Sequence, residues 1–245
     1  MATAKPAGAT SEQKTKFYVL DQFYLKNGTQ PVRINEFMSK AYLPVVSKVH
    51  AGPRICMEAL VATHMPQFAL ITGYRSLEEL SSLRVTLVQQ EEFLKAFQSW
   101  ESDAEPPYEH CTSSLLEAVE YSPEIVALEP PPKSPRILEL RTYHSPTWRQ
   151  LRALQERFSG SEIKIFHRCG VHPLLYTTMI FGANLPNLTY LIPFDSLAAR
   201  EKAWAAFGAD PEWIKVRKES IEKYGQISSV IQMSLFRATA YSPIR

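Results

Sequence analysis

Glycine is scarce in this chain, nine residues in 245, and none of the nine sits in a Gly-x-Ser-x-Gly turn or a phosphate-cradling loop. That removes the common frameworks for a serine nucleophile and for nucleotide phosphates. Cysteine is equally sparse. Cys56, Cys111 and Cys169 are far apart and odd in number, with no Cys-x-x-Cys pair, so neither a disulfide framework nor a thiolate zinc site is expected. The six histidines show no His-x-x-x-His spacing and no carboxylate in metal-ligand register. No apolar run approaches the roughly 20 residues that span a bilayer. No dense basic run exists either, and the formal net charge is only +2, which argues against a nucleic-acid surface or an anionic membrane surface.

What the chain does have is apolar mass: 45% hydrophobic residues, 11% of the total aromatic, enough for a real core. Residues 1–15 stand apart, small and polar with nothing to bury, and read as a flexible tail without the apolar stretch of an export signal. The cytoplasm is the default compartment, and an exported or organellar mature form stays open. From residue 16 the order of elements is a strand ending at Asn27-Gly28, a helix that Pro44 interrupts, two strands, two helical stretches and a strand over 113–121. Glu129-Pro-Pro-Pro-Lys-Ser-Pro135 then forms a stiff linker. After it the same order recurs: a strand from Arg136, a helix with Trp148, Leu151, Leu154 and Phe158 inward, a hairpin over 174–194, two helices and a strand over 227–236.

The halves match residue against residue at one offset of 120. Leu20 answers Leu140, Phe23 answers Tyr143, Ser76-Leu77 answers Ser196-Leu197, Phe93 answers Trp213, and Tyr121-Ser-Pro123 answers Tyr241-Ser-Pro243. Five matches in one register mean an internal duplication. Each unit, 16–124 and 136–245 on either side of a 125–135 linker, is then a ferredoxin-like β-α-β-β-α-β. A four-stranded sheet with helices on one face leaves the other bare, so two such sheets packed together are expected to form an eight-stranded, pseudo-twofold α+β barrel.

The pattern Glu139-Leu-Arg-Thr-Tyr143, Gly170, Leu185-Pro-Asn-Leu-Thr-Tyr-Leu191, Phe194 through the Arg200-Glu-Lys-Ala-Trp204 stretch to Phe207, Asp210-Pro-Glu-Trp213 and Tyr241-Ser-Pro243 resembles the NIPSNAP family. The resemblance covers 136–245 well and 16–124 weakly. It implies the dimeric α+β barrel superfamily. It carries over no catalytic residue: Trp204, Phe207 and Trp213 look like core anchors, Pro186 and Pro211 like turn formers. Animal members are associated with mitochondria and with recruitment of autophagy partners. The wider superfamily includes monooxygenases, haem-degrading enzymes, peroxidases and lactone isomerases, a likeness of fold alone.

Among residues able to carry chemistry, Glu139, Arg141 and Tyr143 alternate on one strand face with Ile137, and Leu138 and Leu140 take the other. The first half sets Val19, Asp21 and Phe23 at the matching places. If that face looks inward, Asp21 and Arg141 meet as a structural ion pair or hold an anionic ligand, the ion pair being favoured because a buried charge is costly alone. Tyr190 adds a hydroxyl or a stacking face. His64 and His172 sit at bends where a pocket would open; they serve as acid, base or axial ligand there, or else are exposed turn residues. Cys169, beside His167 and Arg168, is the one cysteine placed for a lowered pKa.

Two readings follow. In the first the chain is a binding or interaction module, with a protein partner and room for self-association. In the second it is a small-molecule enzyme, a cofactor-free or haem-type oxygenase or an isomerase, with an apolar or anionic ligand inside the barrel. No cofactor and no catalytic set is specified by the residues. A cavity of some 300 Å³ or more with converging polar groups is the feature that favours a small molecule.

Overall fold

The computed structural model describes residues 14–127 and 131–245; most of the expected tail and part of the expected linker lie outside the described residues. The first half runs β1 (Phe17–Tyr24), α1 (Gln30–Phe37), α2 (Leu43–Val49), β2 (Arg54–Val61), β3 (Gln67–Tyr74), α3 (Leu77–Val88), α4 (Glu91–Glu101) and β4 (His110–Ala118). The second runs β5 (Ile137–His144), α5 (Trp148–Arg157), α6 (Ile163–Arg168), β6 (Leu175–Phe181), β7 (Asn187–Phe194), α7 (Leu197–Ala209), α8 (Pro211–Tyr224) and β8 (Val230–Ala238).

The eight strands close into one barrel in the order β1-β3-β2-β8-β5-β7-β6-β4, every pairing antiparallel. Each half contributes four neighbouring strands, and the seams are β2 with β8 and β4 with β6. Closure leaves no free sheet edge to be protected.

The duplication reaches into backbone detail. A π-helical turn at Met38–Tyr42 joins α1 to α2, and one at Phe158–Glu162 joins α5 to α6, again 120 residues apart. Pro44 therefore does not end its helix. It falls in the first turn of the segment after the π turn, where a missing N–H costs little. Both hairpins carry a cis peptide, Met65-Pro66 and Leu185-Pro186. Ser76 and Ser196 cap α3 and α7 by accepting from the N–H of Glu79 and Ala199, and Asp210 caps α8 by accepting from Trp213.

Alternation along the strands divides the core into three. Tyr18, Leu20, Ile55, Met57, Leu116, Leu138, Leu140, Leu191 and Phe236 fill the barrel interior. The outer strand faces pack under helices: Val19, Phe68 and Leu70 with Ile34, Phe37 and Trp100 in the first half, Ile137, Tyr143 and Tyr190 with Leu154, Phe158 and Phe166 in the second. Trp148, expected inward, is exposed at the start of α5.

The Tyr-Ser-Pro segments complete the fold by crossing one end of the barrel. Ser122 Oγ accepts from the Tyr176 N–H at 3.0 Å, and Ser242 Oγ accepts from the Cys56 N–H at 3.0 Å. Behind them Ile125 and Ile244 are buried against the interior cluster. That end is plugged, and the other is open.

Candidate ligand site at the barrel mouth

The inward faces reverse the expectation drawn from the strand pattern. Leu138 and Leu140 point into the barrel, and Glu139, Arg141 and Tyr143 point out under α5 and α7. The reason is partnership. The helix layer brings Arg200 and Trp204 to the Glu139 carboxylate, whereas Leu138 and Leu140 pack in the interior among apolar residues of both sheets. Asp21 and Arg141 accordingly never meet. Asp21 lies on the outer face of the first half, where it accepts from Ser113; burial raises its pKa, and Ser113 and Arg84 hold the rise back.

Arg141, Tyr143 and Tyr190 do come together, in the second half's outer core. The Arg141 guanidinium lies 4.4 Å from the Trp204 ring centre and 5.3 Å from that of Tyr143, and donates to Glu139 at 2.6 Å. Tyr143 and Tyr190 meet edge to face at 5.2 Å. Beside them, in the second π turn, is fully buried Glu162, which accepts from Arg157 Nε at 2.7 Å. Burial pushes the Glu162 carboxyl up to about 7, against the pull of Arg157. Nothing in the sequence singled out Glu162, because a π turn shifts the helical register by one residue and only the folded chain reveals it.

His172 is exposed and stacks on His167 at 5.0 Å, away from the barrel mouth. Cys169 runs against its expected lowering: burial and Asp210 raise its pKa, and Arg168 opposes them only in part, since it is bonded to Asp210 and paired with Glu212.

Of the expected residues, His64 lines the cavity at the barrel mouth. At the open end of the barrel is a space of about 560 Å³ walled by β1, the start of β3, β4, β5, β6 and β8 and by both hairpin loops. Its lining falls into pairs related by the 120-residue offset: Leu20 and Leu140, Gln22 and Thr142, Thr112 and Gln232, Ser114 and Ser234, His64 and Asn184. The pseudo-twofold axis therefore runs through the mouth. Apolar Leu20, Leu140 and Met179 make its floor, and amides and hydroxyls make its walls. Among the described residues no Asp, Glu, Lys or Arg lines it.

The two sides of the mouth differ. On the second half's side Thr142 bonds Thr189, and Thr189 donates to Asn187, which ties that wall into a buried chain. On the first half's side Tyr24 stacks on His110 at 4.3 Å and meets His64 edge to face at 5.3 Å. His64 Nε2 is bonded to the Leu25 carbonyl at 2.8 Å, so the ring is a donor there and is fixed in orientation. Among the described residues no cluster of three or more His, Cys, Asp and Glu side chains could hold a metal ion. Nor is any helix among them long and apolar enough to cross a membrane.

Comparison with known proteins bears on the fold. The model of the NIPSNAP family matches residues 138–243. No curated protein matches the chain. A monooxygenase candidate from Fusobacterium nucleatum subsp. nucleatum ATCC 25586 is similar in structure with a TM-score of 0.60 at 8% identity, over 92% of this chain and 93% of its own. An anthrone oxidase-like protein gives 0.57 at 12% identity, over 94% of each chain. A NIPSNAP family protein of unknown function from Agrobacterium tumefaciens str. C58 gives 0.41 at 19% identity, over 46% of this chain and 97% of its own. At these identities the first two likenesses are of fold, and they agree with the closed α+β barrel described above.

Proposed function

With residues 138–243 forming a NIPSNAP domain, we propose that this protein is a binding module that holds a small, uncharged, polar molecule in the mouth of its barrel. The observation that carries the reading is the cavity of about 560 Å³ lined by hydroxyls, amides and a fixed histidine over an apolar floor, with no Asp, Glu, Lys or Arg among the described residues that line it. Its size is ordinary for a small-molecule site, roughly 300–1,000 Å³. A charged ligand entering it would lose water without gaining a counter-ion, so the lining selects against ions. A neutral molecule bearing both donors and acceptors matches Gln22, Ser114, Thr142, Gln232 and Ser234, each of which can serve in either role or both.

The catalytic alternative has less support. An oxygenase or isomerase without a cofactor needs a base and a partner that orients it. His64 is oriented by a backbone carbonyl, and no carboxylate lines the cavity with it.

The test is a thermal-shift screen with neutral sugars, polyols and amides on the wild type and on Ser114→Trp and Ser234→Trp, which fill the mouth from its two sides. The proposal expects one chemical class to raise Tm in the wild type and in neither variant. An equal rise in all three proteins, or no rise with any class, would overturn it.

A further inference from the structure

The plugged end of the barrel carries a second cavity, of about 570 Å³, whose chemistry is opposite to that of the mouth. Lys14, Arg54 and Arg75 line it together with one carboxylate, Glu124, and apolar Ile125, Val126, Pro243 and Ile244 form part of the remaining wall. Glu124 is already engaged, accepting from the Thr15 backbone N–H and hydroxyl. Glu79, outside the lining, accepts from the Arg75 N–H and lies 3.3 Å from His50 Nδ1.

Arg54 is the informative residue. It is 8% exposed and makes no ion pair among the described residues. Nη1 donates to the carbonyls of His50 and Gly52 at 2.9 and 2.8 Å, Nη2 reaches Ser47 Oγ at 3.3 Å, and Nε–H has no partner. Burial lowers its pKa, as expected for a cation with no carboxylate beside it. Carbonyl dipoles satisfy two of its donors without cancelling its charge, and a buried uncompensated charge is costly.

The fold does not require that charge. At the same offset of 120, just before β6, Arg54 is answered by Leu174, while Arg75 is answered by Asp195 and Lys14 by Ser134. The duplicate therefore lacks these three cations at the matching positions, and its own buried arginine, Arg136, instead donates to the Arg245 carbonyl and has the Asp195 carboxylate near it. The three cations are an addition to one half, gathered at one cavity.

We propose that this closed-end cavity is an anion site, which takes a small organic acid with a carboxylate or phosphate head and a short apolar body. The head answers Arg54, Arg75 and Lys14, and the body lies along Ile125, Val126 and Pro243. The site stands independently of the mouth, at the opposite end of the barrel.

Isothermal titration with benzoate, phenyl phosphate and the neutral isostere benzamide tests it. At least one of the two anions should bind at one site per chain, and at least tenfold more tightly than benzamide. Arg54→Leu, which copies the second half, should weaken that anion at least thirtyfold, and Arg75→Ala severalfold. Ser114→Trp, at the mouth, should leave it unchanged. If Arg54→Leu costs stability through the two carbonyls it uncaps, Arg75→Ala probes the same cavity without touching them. Equal binding of benzamide, anion binding untouched by Arg75→Ala, or no binding of either anion would overturn the proposal.

Discussion

Half-buried Arg200 on α7 and fully buried Glu139 on β5 form a two-point ion pair: Nε lies 2.6 Å from Oε2 and Nη2 lies 3.2 Å from Oε1. Trp204, one turn further along α7, donates its indole N–H to the same carboxylate at 3.0 Å. The pair pins α7 to the sheet and gives the Glu139-Leu-Arg-Thr-Tyr143 and Arg200-Glu-Lys-Ala-Trp204 stretches a shared structural purpose. The first half fills the equivalent place with Val19 and Leu80, an apolar contact. Removing one partner of a buried pair strands the other, at a cost of about 3–5 kcal/mol. Glu139→Ala should lose stability of that order in urea unfolding. A double-mutant cycle with Arg200→Ala should return a coupling of about 1–3 kcal/mol, and a coupling near zero would mean that the pair does not hold α7.

Glu162 makes stability depend on pH. Its carboxyl is raised from the ordinary 4.5 to about 7 in the folded chain, so folding binds a proton there. The associated stability is fully present below pH 4.5 and is lost as pH rises through 7. A shift of that size corresponds to about 3 kcal/mol as an order of magnitude. Glu162→Gln copies the protonated carboxyl, so it should lie near wild type at pH 5 and become the more stable of the two by pH 8, where wild type must bury a charge. Taking the difference between the two proteins cancels the titration of His50 and His167, whose pKa values burial lowers. A difference between the two proteins that stays the same from pH 5 to pH 8 contradicts the assignment.

Ser122 and Ser242 each satisfy a buried backbone N–H at a barrel seam. Replacing either by alanine leaves that N–H without a partner, at a cost of about 1–3 kcal/mol. The two serines share no partner, so the double variant should lose close to the sum. A second loss much smaller than the first would mean that the seams are not independent.

The duplication, the element order and the barrel were legible because five residue matches at one offset constrain topology more tightly than any local propensity. The strand faces were not. Glu139, Arg141 and Tyr143 alternate with Leu138 and Leu140, and period two says only that the sets oppose each other, not which is inside. Which set faces the helices depends on Arg200 and Trp204, some 60 residues away, and no pattern within the strand reports that. The mouth escaped for a related reason: its Gln, Ser and Thr lining is ordinary on any half-exposed strand and becomes a site only when β4 and β8 bring their inner faces together. His64 was legible from its place in a hairpin loop. His172, read by the same logic, turned out to be exposed, since its loop lies at the other end of β6 from the mouth.

The first measurement to make is native mass spectrometry of the wild type and of Ser114→Trp, both purified from the cells that naturally make the protein. The proposed function predicts that the wild type carries a small-molecule mass excess with no added charge of its own, that this excess is released on unfolding, and that Ser114→Trp flies at the mass of the bare chain. A wild type that flies at the bare mass under gentle conditions, or a variant that keeps the same excess, would contradict a ligand in the barrel mouth.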